Sequence, residues 1–169
     1  MKYLVHLNPS KELFKKINEY KNLIYKDILK DNKFLHCTLF NFSCDEKYED
    51  ELITSLESLS IKPFELVTKD LEIFDDIRNP NCLVLKLERN EEILNLHYKI
   101  LERTRKFAGE YDKTFREANY NPHMTLMELK EKYIPGEKVS LSGIKFKIEE
   151  IDLSKKIQDW GIIKKFKLN

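Results

Sequence analysis

A chain of 169 residues that is 41% hydrophobic and 35% charged, with four glycines and five prolines, can bury a substantial core and is too apolar for a disordered segment. A formal net charge of +1 excludes an overall field that would gather nucleic acid without specificity, so binding is expected at a local site. Cys37, Cys44 and Cys82 are odd in number and lack close paired spacing, which argues against a disulfide framework or a structural zinc and for buried free thiols.

In chain order, Lys2 to Asn8 reads as a strand with Tyr3, Val5 and Leu7 on one side. Pro9-Ser10 then opens a helix with Ser10 as N-cap, and Leu13, Phe14, Ile17, Tyr20, Ile24 and Ile28 keep helical spacing to about Lys30. Phe34 to Phe42 is a second strand, and Glu46 to Leu59 is a helix with Tyr48, Leu52, Leu56 and Leu59 along one face. Pro63 to Phe74 and Cys82 to Glu88 are strands joined by a turn over Asp75 to Asn81. The second half repeats the order, with an amphipathic helix from Glu91 to Phe107, a long connection from Ala108 to Tyr120 and a strand from Asn121 to Leu129. Alternating stretches from Val139 to Leu153 and from Gly161 to Leu168 read as further strands.

This order predicts an α+β fold: one domain over residues 1–169, built as two lobes with a pseudo-twofold, two antiparallel sheets facing one another and helices outside. No apolar run reaches membrane length, and Met1 to Asn8 is too short for a signal peptide, so a cytoplasmic protein with no membrane partner is expected.

The residues that speak about chemistry are two tripeptides, His36-Cys37-Thr38 and His123-Met124-Thr125, each followed by Leu. They use two of the four histidines and two of the six threonines, so composition alone would produce fewer than one such match. On an extended strand, side chains two apart share a face, and each motif therefore offers an imidazole and a hydroxyl together. The alternation places His36, Thr38 and Phe40 on one face of their strand, and Asn121, His123, Thr125 and Met127 on one face of the other. Two imidazoles in separated environments can act as acid and base, and two hydroxyls can hold the nonbridging oxygens of a phosphodiester. That chemistry calls for no metal or cofactor, and no cluster of residues has the spacing of a catalytic zinc site.

HCTL and PHMTL, half a chain apart, together with the C-terminal run FKIEEIDLSKKIQDWGIIKKFKL, resemble the two-histidine (2H) phosphoesterases, the cyclic phosphodiesterase and 2',5' RNA ligase family. The resemblance implies a bilobal sheet fold with a central cleft, and metal-independent opening of 2',3'-cyclic phosphates on RNA ends or nucleotides to leave a 2'-phosphate. It further implies His36 and His123 as the catalytic pair and Thr38 and Thr125 as phosphate ligands. Cleavage of 2',5'-oligoadenylate or cyclic oligonucleotides, joining of RNA ends, or a binding module for RNA ends without turnover are the alternatives. Many relatives carry a basic residue shortly after the second motif, where this chain has Met127-Glu128-Leu129 before Lys130.

Other candidates are weaker. Tyr120 and Arg116, in the long connection before the second motif, are candidates to stack a base and touch substrate. His6 has the parity to reach the cleft but lacks a threonine partner, His97 reads as structural, and Trp160 reads as a packing anchor. The expected partners are RNA ends, oligonucleotides or cyclic nucleotides, met by a monomer.

Overall fold

The structure is a computed structural model that describes residues 1–74, 81–109, 119–132, 134 and 140–169. Strand β1 (Lys2–Leu7) leads into helix α1 (Lys11–Leu23), whose first turn is capped by the Ser10 hydroxyl accepting from the Leu13 amide at 3.2 Å. The helix stops seven residues short of the predicted end. Ile24 and Ile28 fit a helical repeat, but they also share strand parity, and Ile28–Asp31 forms a short strand β2 whose amides and carbonyls are satisfied by pairing.

Strand β3 (Cys37–Ser43) is followed by a single helical turn and α2 (Glu49–Glu57), then by β4 (Phe64–Phe74) and β5 (Cys82–Leu87). Helix α3 (Glu91–Thr104) is capped by Asn90, whose Oδ1 accepts from the Ile93 amide at 3.0 Å. Its face of Ile93, Leu96 and Ile100 is fully buried, worth roughly 1.5–3 kcal/mol per side chain. Strand β6 (His123–Leu129) carries the second motif, and β7 (Lys145–Ile148), β8 (Glu150–Lys156) and β9 (Trp160–Lys167) complete the order.

The strands run β7-β4-β5-β6-β3-β1-β8-β9, every pair antiparallel, with β2 alongside β6. The two expected sheets are thus two halves of one path, β7-β4-β5-β6 and β3-β1-β8-β9. They meet where β3 and β6 share a single register pair, Cys37 with Met124. Beyond that pair the edge of β6 is taken up by β2, at Met127 to Leu129, so the halves part immediately past the motifs. Each half contains the same unit of strand, helix and motif strand: β1-α1-β3 in one and β5-α3-β6 in the other.

Candidate active site

Both motif strands carry a bulge at the same place. His6 pairs with Thr38 but Val5 pairs with Phe40, which leaves Leu39 as the extra residue of β3. Val84 pairs with Thr125 but Leu83 pairs with Met127, which leaves Leu126 as the extra residue of β6. A bulge reverses the alternation of the strand beyond it. Phe40 and Met127, predicted to share the face of the histidines, are therefore buried in the core, at 6% and 1% exposure. The Leu after each motif is buried as well, and the His and Thr of both motifs remain half-exposed on the opposite face.

Continuing the Cys37–Met124 register by one residue within the two strands sets Thr38 opposite His123, while His36 immediately precedes β3. Side chains paired across strands share a face. Through the register partners of the neighbouring strands, one row across the sheet therefore reads Lys86, His123, Thr38, His6, Asp152, Lys165.

The two imidazoles are held in the same way. His36 Nδ1 lies 2.8 Å from the carbonyl of Phe34, and His123 Nδ1 lies 2.8 Å from the carbonyl of Asn121, in each case the residue two positions back. A carbonyl can only accept, so both Nδ1 atoms donate, and in the neutral ring the lone pair is left on Nε2. Each ring also rests against a phenylalanine, His36 on Phe34 with centroids 4.5 Å apart and His123 on Phe74 at 4.7 Å. The tether explains why β3 begins at Cys37 rather than at the predicted Phe34: residues 34–36 fold back on themselves instead of joining the ladder.

Asn32 ties the halves together beside the motifs. Its side-chain amide donates to the Thr125 carbonyl at 2.8 Å, and its Oδ1 accepts from the Phe34 amide at 3.2 Å. Behind it, the buried ammonium of Lys21 bonds Asp31 at 2.7 Å and the Asn32 carbonyl at 2.8 Å.

Burial pushes both histidines below the ordinary imidazole range, since a charged ring loses more on desolvation than a neutral one. For each, the tethering carbonyl opposes this by favouring the protonated form. Charge on His123 further disfavours charge on His36, so the pair tends to hold one proton rather than two. Lys86 pushes His123 down and Glu72 pushes it up.

His6 is fully buried, with Nε2 2.9 Å from the Ser154 hydroxyl and its ring 5.3 Å from that of His36 in an edge arrangement. Burial first, and then the neighbouring His36, bring it down to about 3, so it is a neutral wall behind His36. Tyr120, expected to meet a base, is 4% exposed. Its ring stacks on His97 at 4.0 Å and its hydroxyl donates to the Thr38 carbonyl at 3.0 Å, beneath the motif strand. His97 is structural as expected, with Nδ1 donating to the Leu39 carbonyl at 2.8 Å. Arg116 lies outside the described residues. Lys130 is turned away, donating to the carbonyl of Lys26.

Sequence reasoning missed Asn32, Phe74, Glu72 and Lys86. The signal for Lys86 was legible: it is the one charged residue in the apolar run Cys82 to Leu87. Phe74 and Asn32 left no such mark, because each acts through a partner far along the chain.

The model of the 2'-5' RNA ligase superfamily matches residues 9–159. Among solved structures, Escherichia coli LigT complexed with 3'-AMP superposes with a TM-score of 0.74 at 14% identity, over 99% of this chain and 98% of that one. TT0787 of Thermus thermophilus gives 0.73 at 19% identity over 99% and 98%, and the PDE domain of MHV ns2 gives 0.60 at 13% over 88% of each chain. No curated protein matches the sequence. At these identities the structures share the fold, and the family model spans most of the chain: the protein belongs to the 2'-5' RNA ligase superfamily, the family of 2H phosphoesterases that its two motifs resemble.

Proposed function

We propose that the protein is a phosphodiesterase that opens 2',3'-cyclic phosphates on RNA ends or nucleotides, with His36 and His123 as acid and base and Thr38 and Thr125 as phosphate ligands. The observation that carries this reading is the matched tether of the two imidazoles, Nδ1 to the carbonyl two residues back at 2.8 Å in both motifs. It leaves each Nε2 free to take or give a proton while the ring is held in place, which is the division of labour that in-line displacement at phosphorus needs.

In that reaction the neutral imidazole takes a proton from water through Nε2 as the water oxygen bonds to phosphorus. The bond from phosphorus to the 3' oxygen breaks, and the protonated imidazole supplies the proton that this oxygen needs to leave as a hydroxyl. The 2'-phosphate remains, and the pair ends with its protons exchanged between the two rings. Thr38 and Thr125, which flank the Cys37–Met124 pair at the seam, donate to the nonbridging oxygens as charge gathers on them. Complexes of LigT with 3'-AMP, NADP+ and ATP support a nucleotide as the class of ligand for this fold.

The test is turnover by the purified protein in excess EDTA of a 2',3'-cyclic nucleotide, a 2',5'-oligoadenylate and a cyclic dinucleotide, with product phosphates placed by phosphorus NMR. Selective conversion of the cyclic phosphate to a 2'-phosphate is the expected result. Turnover of another member of the panel alone, or loss of activity with chelator, would reject the assignment.

A further inference from the structure

In the proposed reaction the one cation that the two motifs offer a bound phosphate is the protonated imidazole, which gives its charge up with its proton, and an anion held partly out of water is costly unless a lasting cation is near. Lys86 lies beside the motifs. It is the register partner of His123 on β5, and its side chain is only 23% exposed. Its ammonium sits 5.7 Å from the centre of the Phe74 ring, against which His123 also packs. Glu72, on β4, holds that ammonium at 3.0 Å.

From this placement we propose that Lys86 is a phosphate-binding residue of the site, parked on Glu72 in the free protein and transferred to a nonbridging oxygen of the substrate when the anion arrives, a role that rests on the phosphodiesterase reading. The ion pair with Glu72 is half open to water and therefore weakly held, so exchanging one carboxylate partner for a phosphate oxygen costs little. A lysine on a flexible stem is suited to such a move, since its ammonium acts as a point charge with no fixed bonding plane. Glu72 then has a second effect. By competing for the ammonium it weakens binding of any anion, product included, which favours release after turnover. The fixed positive charge beside His123 also opposes protonation of that ring in the free protein, in the sense already described.

The test uses inorganic phosphate as the probe, titrated into the whole chain while the His123 ring is followed by proton–nitrogen NMR, alongside steady-state kinetics on a 2',3'-cyclic nucleotide. Lys86→Gln is expected to weaken phosphate about 10- to 100-fold, the range for losing one charge-assisted hydrogen bond. Lys86→Arg should restore most of that affinity, and Glu72→Gln should tighten phosphate severalfold. In kinetics, Lys86→Gln should raise KM with a smaller change in kcat, and thermal melts should show that it folds as the wild type does. Wild-type phosphate affinity in Lys86→Gln, no effect of Glu72→Gln, or no phosphate binding by the wild type would each overturn the assignment of Lys86. A wild type that binds phosphate through Lys86 yet turns over no phosphodiester would instead overturn the proposed function and leave the anion site standing.

Discussion

Cys37 and Met124, the middle residues of the two His-x-Thr motifs, are partners across the seam between β3 and β6. Both are fully buried, and the flanking His and Thr side chains of both motifs are half-exposed on the opposite face. The motifs are therefore centred on the register pair at which β3 meets β6.

If Thr38 and Thr125 donate to oxygens whose charge grows in the transition state, Thr38→Val and Thr125→Val should lower kcat about 10- to 100-fold with little change in KM, because the contact is worth more at the barrier than before it. A rise in KM with kcat unchanged would place the hydroxyls in ground-state binding instead.

Asn32 is expected to matter beyond its size, since it bonds the Thr125 carbonyl and the Phe34 amide at once. Asn32→Ala leaves both groups without their partner and should cost about 1–3 kcal/mol in urea unfolding. Turnover should fall as well, because Phe34 supplies both the carbonyl and the ring that orient His36. A variant with wild-type stability and turnover would remove Asn32 from the account of the site.

The pH dependence of turnover has a defined sign. Both imidazoles are pushed below the ordinary range by burial, so the one that must be protonated holds its proton only below the pH at which a free histidine is half titrated. The plot of kcat/KM, which reports the free enzyme, should be bell-shaped with its maximum below about pH 6.5. Its limbs belong to the pair rather than to either ring. A flat profile, or a maximum above pH 8, would contradict a pair of imidazoles with lowered affinities.

His6 carries a stability prediction. Its folded value is about 3 against an ordinary 6.5, so between these the unfolded chain binds the extra proton. Stability from this residue is therefore fully present above about pH 6.5 and is lost as pH falls toward 3, at about 1.4 kcal/mol per unit. His6→Asn, which can still bond Ser154, should flatten the fall in urea midpoint between pH 7.5 and pH 4.5. An unchanged pH dependence would mean that His6 protonates without cost.

Much of this was legible because periodicity and capping are local. Ser10 caps α1, β4 and β5 lie within one residue of the predicted spans, and α3 starts at the predicted Glu91. The two motifs were visible as a repeated spacing, and their strands do meet. What was not legible depends on pairing between distant segments. The bulges at Leu39 and Leu126, which send Phe40 and Met127 into the core, exist only relative to β1 and β5. Tyr120 looked available to a base because it precedes the second motif, and only packing against His97 from α3 places it below the strand. Lys86 stood out as the one charge in its apolar run, but its place beside His123 exists only through the pairing of β5 with β6.

The most direct test of the central claim, that one phosphate is held between two tethered imidazoles, is a crystal structure of the protein with a nucleoside 2'-phosphate. Phosphate oxygens are expected within about 2.6–3.2 Å of Nε2 of both His36 and His123, with the Thr38 and Thr125 hydroxyls bonded to the same group and both Nδ1 atoms still on their carbonyls. A phosphate bound at one histidine alone, or elsewhere on the sheet with the two rings unchanged, would contradict it.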